Sequence, residues 1–332
     1  MDDSQRFLLE HFDTIQASPS HIYHSALPFC PTSSWLCERN SAELSPEVKV
    51  VRGLPVKWGT CSRTLFIKHT PWTLLCWKEL IAVGRAHGEI HILDAITGTT
   101  TSILPRHSSG VFSLSFSLDG TLLVSGNWAK IIELWDTQTG GVIRTFEGHT
   151  DFVRCVSLSQ DCTMIASGSN DCTIRLWDTQ TGECCHIIHG HKGKVLSVSF
   201  FPTNSQLLMS ASEDNTVQQW DINGCQIGPV YEGHGVAFSS DGTCFISWGS
   251  VATIRNSDSG AVVAELQVST NDFKCCCFSP GDRLVAGGAG NTIYIWDITK
   301  SGPCLIETFN GHTSEILSLV FSSSLISSSR DE

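Results

Sequence analysis

A seven-residue phrase, LWDTQTG, occurs twice in this chain of 332 residues, ending at Gly140 and again at Gly182. Variants of the phrase recur along the chain, and the aspartate position of each falls at Asp94, Asp136, Asp178, Asp221, Asp258 and Asp297. The steps between these positions are 42, 42, 43, 37 and 39 residues. A repeat of this length indicates a fold built from stacked copies of one small supersecondary unit.

Each unit contains four short segments with the alternation expected of β-strands. In one unit these segments are VRCVSLS, TMIASGS, TIRLWD and ECCHIIHGH, and residues that favour turns (Asp, Asn, Gly and Ser) separate them. Four strands joined by tight turns form an antiparallel meander, which cannot cover both of its own faces. The sequence therefore predicts an all-β chain in which several meanders pack against one another.

The composition narrows the class of protein. Hydrophobic residues make up 41% of the chain, and a net charge of -12 disfavours a nucleic-acid binder that neutralises phosphates. The acidic N-terminus lacks an apolar export signal, and no apolar run is long enough to cross a bilayer. We therefore expect a cytoplasmic protein, with a nuclear protein as the alternative. We expect its 15 cysteines to be reduced thiols and the chain to bind no membrane.

The repeats resemble those of the WD-repeat family, in which a Gly-His pair opens a unit and Trp-Asp ends its third strand. The matching residues are Trp135, Trp177, Trp220 and Trp296 for Trp-Asp, and His149, His191, His234 and His312 for Gly-His. The resemblance extends from about residue 60 to the C-terminus. It implies a β-propeller with six complete four-stranded blades and an incomplete seventh.

The last unit is incomplete because the sequence stops one residue after Asp331, before a third strand. The resemblance implies that Cys61–Ile67 supplies the outer strand of this blade, which would then have no third strand to pair with. We favour a truncated product; the alternative is a blade with an unpaired edge.

In WD-repeat proteins a Trp, a Ser or Thr, a His and an Asp form a hydrogen-bonded chain within a blade, so that each buried polar group has a partner. Two units of this chain match that set in full, with His149, Ser167, Asp171 and Trp177 in one and His191, Ser210, Asp214 and Trp220 in the next. An earlier unit keeps His107, Ser125 and Trp135 but has Ala129 at the aspartate position. We expect the less complete units to depend more on apolar packing.

Residues 1–50 are predicted to form a lead-in, with a short amphipathic helix near Phe7–Ile15 and an irregular segment rich in Pro and Ser, and residues 51–332 to form the propeller. The stretch HIYHSALPF resembles the junction that precedes the propeller in fungal, mushroom-type NACHT/WD-repeat receptor proteins, and WGTCSRTLF and NSDSGAVVAE resemble segments of the same class. The chain contains no GxxxxGK[ST] loop. The resemblance therefore implies only the sensor part of such a receptor.

No catalytic motif stands out from the repeat pattern. The chain has no GxSxG, HExxH or paired-carboxylate pattern. In HIIHGH, His186 and His189 would point to opposite faces of a strand, and Gly287–Thr292 matches a turn between strands rather than a phosphate loop. We therefore expect no enzyme activity, no cofactor and no metal.

Family resemblance implies that partners bind the face formed by the loop before the first strand and the turn between the second and third strands. On this face we expect Trp72, Trp128, Asp151, Phe152, Arg154, Asn170, Lys192, Lys194 and Glu213. Trp128 has no packing role evident from sequence, which favours a contact residue; the alternative is that it covers a neighbouring blade. Arg154, Lys192 and Lys194 form either a basic spot for an acidic partner or scattered solvated charges.

These observations predict a non-catalytic propeller that recognises proteins or ligands as the sensor or scaffold part of a fungal NACHT-type receptor. The alternative is an adaptor subunit of a multiprotein complex, such as a ubiquitin-ligase substrate receptor or a G-protein β-like protein. A hydrolytic propeller with a metal in its channel is disfavoured, because the inner strands VFSLSFS, VRCVSLS and VLSVSFF carry no acidic residue.

Overall fold

The computed structural model describes residues 70–95, 97–104, 107, 109–268, 272–299, 302–321 and 325–330. All regular structure in these residues is β-strand, which confirms the all-β prediction for this part of the chain. No helix able to span a membrane occurs there. The predicted lead-in of residues 1–50 and the predicted outer strand Cys61–Ile67 lie outside the described residues.

The strands form six four-stranded antiparallel sheets, blades 1 to 6, each with its strands in chain order. Blades 1 to 3 contain β1 (Pro71–Trp77), β2 (Leu80–Arg85), β3 (Ile90–Asp94), β4 (Thr100–Leu104); β5 (Val111–Phe116), β6 (Leu122–Asn127), β7 (Ile131–Asp136), β8 (Val142–Glu147); and β9 (Val153–Leu158), β10 (Met164–Ser169), β11 (Thr173–Asp178), β12 (Cys184–His189). Blades 4 to 6 contain β13 (Val195–Phe201), β14 (Asn204–Ser212), β15 (Thr216–Asp221), β16 (Gln226–Glu232); β17 (Gly235–Phe238), β18 (Cys244–Trp248), β19 (Ala252–Asn256), β20 (Val262–Leu266); and β21 (Phe273–Phe278), β22 (Leu284–Ala289), β23 (Thr292–Asp297), β24 (Cys304–Phe309).

A seventh blade has only two described strands, β25 (Ile316–Phe321) and β26 (Leu325–Ser329). The first strand of each blade contacts the first strand of the next, and β25 contacts both β21 and β1. The seven blades therefore close into a ring with their first strands innermost. The predicted propeller with six complete four-stranded blades is confirmed, and the described residues of the seventh blade form two strands.

The repeated phrase LWDTQTG is the end of a third strand and the turn that leads to the fourth. In blade 2 an oxygen of Asp136 accepts hydrogen bonds from the amides of Gln138 and Thr139, at 2.9 and 2.8 Å. Gly140 then adopts a φ of 70°, a left-handed conformation that suits glycine. The equivalent oxygen of Asp178 binds the amides two and three residues on in the same way, at 2.9 and 2.6 Å. The turn between the third and fourth strands therefore explains the residues of the repeated phrase.

Serine side chains on the innermost strands connect neighbouring blades. The hydroxyl oxygen of Ser113 accepts the Val156 amide at 3.1 Å, and that of Ser157 accepts the Phe200 amide at 3.1 Å. At the junction that closes the ring, Ser318 Oγ accepts the Leu74 amide at 3.3 Å. Because adjacent blades do not pair their backbones, these hydroxyls satisfy amides that would otherwise lack a partner.

The core lies between the blades. The second strands of the six blades are buried after their first residue, except that β14 is buried only from Leu208 on, whereas the fourth strands are mostly exposed. Trp135 and Trp177 at the ends of third strands are among the largest fully buried side chains. Each blade therefore covers its neighbour, as the stacking of incomplete units requires.

Candidate partner-binding face

Blades 3 and 4 contain the hydrogen-bonded chain that the family resemblance implies. In blade 3, His149 Nδ1 lies 2.8 Å from Asp171 Oδ2 and its Nε2 lies 2.8 Å from Ser167 Oγ. Ser167 Oγ also accepts the indole N–H of Trp177 at 2.8 Å. In blade 4 the corresponding distances are 3.2, 2.7 and 2.7 Å, among the residues His191, Asp214, Ser210 and Trp220.

These chains hold the loops of one face in place. Asp171 Oδ2 accepts the amide of Thr150, in the loop before β9, at 3.0 Å, and Asp171 Oδ1 accepts the amide of Thr173, after the turn, at 2.9 Å. Burial alone would raise the pKa of Asp171, but hydrogen bonds from His149, Thr173 and Thr150 outweigh it and lower that pKa. An ionised aspartate thus ties the loop before the first strand to the turn between the second and third.

Blade 2 has Ala129 at the aspartate position and supplies a carboxylate from its third strand instead. Glu133 on β7 contacts Nδ1 of the buried His107, whose Nε2 lies 3.0 Å from Ser125 Oγ. Ser125 in turn accepts the indole N–H of Trp135 at 2.8 Å. The expectation that this blade depends on apolar packing is wrong in this respect. Ser125 pairs with Glu133 across β6 and β7, so both side chains lie on one face of the sheet. The position of Glu133 opposite Ser125 in the predicted hairpin was the feature of the sequence that could have identified the acid.

The remaining blades use other contacts. In blade 1, Arg85 Nη1 lies 2.7 Å from both Glu89 Oε2 and His91 Nε2. In blade 6 the ring of Phe273 packs edge-on against Trp296, with centroids 5.8 Å apart. Blade 7 keeps the first link of the chain, since His312 Nε2 lies 2.7 Å from Ser327 Oγ; the predicted Asp331 lies outside the described residues.

Four aromatic side chains from three blades meet on the face that these loops form. Trp72 on β1 stacks on Phe112 of β5 at a centroid distance of 4.7 Å and an interplanar angle of 15°. Trp128, in the turn between β6 and β7, lies 5.4 Å from Trp72 and 5.2 Å from Phe152, the latter edge to face. Trp128 therefore contacts both neighbouring blades and still has 43% of its surface exposed. We call these four residues the aromatic cluster.

Arg154 extends the aromatic cluster with a positive charge. Its guanidinium carbon lies 4.7 Å above the ring of Phe112, and its Nε donates a hydrogen bond to Asn170 Oδ1 at 2.9 Å. Stacking and this hydrogen bond fix the plane of the guanidinium at the surface.

Eight of the nine sequence-predicted face residues separate into two groups, and Asp151 belongs to neither. Trp72, Trp128, Phe152, Arg154 and Asn170 come together in or beside the aromatic cluster. Lys192, Lys194 and Glu213 belong to blade 4, where Lys194 Nζ pairs with Glu213 Oε2 at 3.0 Å and the Lys192 side chain is exposed. Asp151 Oδ1 accepts the amide of Phe152 at 2.7 Å.

Phe112 was missed by sequence reasoning. It occupies the second position of β5, as Arg154 does in β9, and this equivalence could have identified it. Among the described residues no group of three metal-ligating side chains is found.

Comparison with known proteins agrees with the repeat pattern. The family described as WD domain, G-beta repeat matches residues 98–136, 140–178, 182–221 and 260–297. The chain is 34% identical over 135 residues to vegetative incompatibility protein HET-E-1 of Podospora anserina, covering 41% of the chain and 7% of that protein. It is 28% identical over 127 residues to the transcriptional corepressor LEUNIG_HOMOLOG of Arabidopsis thaliana, covering 35% of the chain and 15% of that protein.

A third relative is the NET1-associated nuclear protein 1 of Saccharomyces cerevisiae, 42% identical over 57 residues, or 17% of the chain and 6% of that protein. The matched segments thus span at most 15% of the length of these relatives. Four segments of the chain thus match the WD repeat, and the described residues form the closed ring of sheets of a β-propeller.

Proposed function

We propose that this chain works in the cytoplasm as the recognition part of a fungal NACHT-type receptor and that it binds a protein partner without catalysing a reaction. The observation that carries the proposal is the 34% identity over 135 residues to HET-E-1, a fungal NACHT/WD-repeat protein. WD40 propellers generally bind protein partners. The proposal includes no cofactor, metal, nucleic acid or membrane ligand.

The surface of the ring supports a role in recognition. Hydrogen bonds to Asp171 and Asp214 hold the loops of one face, because each aspartate also accepts the amide that follows its histidine, at 3.0 and 2.7 Å. Fixed loops reduce the entropy lost when a partner binds. An exposed tryptophan and an oriented arginine on such loops are the residue types that dominate binding at protein interfaces.

Full-length transcripts from the source organism test the receptor assignment. We expect an in-frame nucleotide-binding module upstream of the propeller, with a GxxxxGK[ST] loop that binds ATP or GTP in the purified product. A transcript that joins the propeller to a module of another kind would contradict the assignment.

The second candidate is a scaffold subunit of a multiprotein complex, which the similarity to the corepressor LEUNIG_HOMOLOG favours. Size-exclusion chromatography of the native protein, followed by mass spectrometry, separates the two. A scaffold subunit elutes with fixed partners in constant ratio, whereas a receptor without its ligand is expected to elute free of them.

A further inference from the structure

Trp128 is an exposed apolar residue in a turn, away from the outer strands on which the fold leaves apolar side chains exposed. Nearly all exposed large apolar side chains in the described residues lie on the fourth strands of the blades, for example Ile103, Ile143 and Ile187. The exceptions are Leu118, in the turn between β5 and β6, and Trp128, in the turn between β6 and β7. Exposed aromatic surface beside fixed loops marks an interaction site more often than exposed aliphatic residues on an outer strand do.

The geometry of the aromatic cluster argues against a cationic ligand. A cage for a methylated ammonium group needs a gap between rings for the cation to enter. Here the rings contact one another, with centroids 4.7 to 5.4 Å apart along the series Phe112, Trp72, Trp128 and Phe152. Moreover, the guanidinium of Arg154 already covers the face of Phe112 at 4.7 Å and would repel a second cation.

Arg154 is suited to an anion instead. Its Nε is bound to Asn170, and the described residues contain no ion pair that includes Arg154. The nearby Asp151 uses one carboxylate oxygen for the amide of Phe152. A guanidinium with a fixed plane offers its two terminal nitrogens to a carboxylate in a bidentate arrangement.

Trp128 and Arg154 are close enough to bind one short segment. The ring of Trp128 is 6.0 Å and the guanidinium carbon of Arg154 is 4.7 Å from the ring of Phe112. The two groups are therefore separated by no more than about 11 Å, which an extended chain spans in about three residues at ~3.3 Å each. An apolar side chain and a carboxylate one to three positions apart would reach both.

We propose that Trp128 and Arg154 together bind an extended acidic peptide segment of a protein partner, with an apolar side chain on Trp128 and a neighbouring carboxylate on Arg154. The net charge of -12 does not prevent this, because screening limits its reach to about 8 Å at physiological ionic strength. Lys130, two residues after Trp128, and Lys192, in the loop before β13, are also exposed cations. This inference rests on the proposed role in protein recognition.

Selection from a phage-displayed library of random 12-residue peptides against the purified chain tests the proposal. We expect enriched peptides to carry Asp or Glu within three positions of Trp, Phe or Leu. Fluorescence polarisation of the best peptide should show at least a tenfold loss of affinity for Arg154→Gln and for Trp128→Ala. Replacing the peptide carboxylate by an amide should lower the affinity as much as Arg154→Gln does. The two changes together should lower it little further, because each removes the same contact.

Lys274→Gln is the matched control, since Glu315 already pairs with Lys274 at 3.4 Å, and it should change affinity less than twofold. If Trp128→Ala lowers the melting temperature, Trp128→Phe and Arg154→Gln carry the test. Peptides whose binding ignores both sites would overturn the assignment of this surface but leave partner recognition intact. Three outcomes would overturn the proposed ligand: the library yields no peptide, the best peptide binds more tightly when phosphoserine replaces its acidic residue, or a trimethyl-lysine peptide binds selectively.

Discussion

Glu133 contacts Nδ1 of the fully buried His107 in blade 2, at the place where blades 3 and 4 use an aspartate from a turn. The histidine keeps the same two kinds of partner in all three blades, a carboxylate and a serine hydroxyl. The chemistry of the buried imidazole is thus retained although the position of the acid in the sequence differs.

Replacing Glu133 by alanine should therefore destabilise the protein by about 1–3 kcal/mol, because His107 is left buried without its carboxylate. Introducing Ala129→Asp into that variant should recover part of the loss, since position 129 corresponds to Asp171. Urea unfolding measures both changes, with the exposed Glu147→Ala as the control. Equal stability of wild type and Glu133→Ala would contradict the assigned role.

Ser318→Ala should weaken the closure of the ring. Ser318 Oγ accepts the Leu74 amide at 3.3 Å, and its loss should cost about 0.5–1.5 kcal/mol. Hydrogen exchange should accelerate in β1, β25 and β26 more than in blades 3 and 4. The exposed Ser250→Ala should leave exchange unchanged, and a uniform acceleration over the whole chain would argue against a local closure contact.

Blade 4 should lose stability as the pH falls below about 6.5. Burial lowers the pKa of His191, although Asp214 opposes this shift, so the unfolded state takes up a proton before the folded state does. The contribution of His191 to the free energy of unfolding is fully present above the ordinary histidine pKa of about 6.5, and it declines as the pH falls toward the lowered pKa of the folded state. Differential scanning calorimetry between pH 7.5 and pH 5.5 should show a smaller decline for His191→Asn than for wild type. A variant of the exposed His186 should behave like wild type, and an unchanged decline in His191→Asn would refute this origin.

The cysteines should differ sharply in reactivity. Burial raises the pKa of Cys155 and of Cys275 to about 12, so both thiols remain protonated, and Cys155 is also almost inaccessible to solvent. The exposed Cys185, Cys225 and Cys304 should be alkylated first by iodoacetamide at pH 8, as followed by peptide mass spectrometry. Modification of Cys155 in the folded protein at the rate of Cys185 would show that this part of the core opens.

The sequence by itself determined the repeat and the internal structure of each repeating unit. The spacing of Asp136 and Asp178, the turn residues and the alternation of apolar positions predict four-stranded units, because these are local requirements of strands and turns. The contacts of His149 with Ser167 and Asp171 could be predicted from the resemblance to the WD-repeat family, because these residues match the family's hydrogen-bonded set within one unit.

Only the tertiary structure decided which side chains meet across blades. Phe112 and Trp128 lie in one blade, but their neighbours Trp72 and Phe152 come from the blades on either side, and the curvature of the ring brings all four together. Likewise Arg154 stands on Phe112 of the preceding blade, whereas Lys194 pairs with Glu213 within its own blade. Whether Arg154 contacts an aromatic ring therefore depends on packing between repeats, which the sequence of a single repeat does not specify.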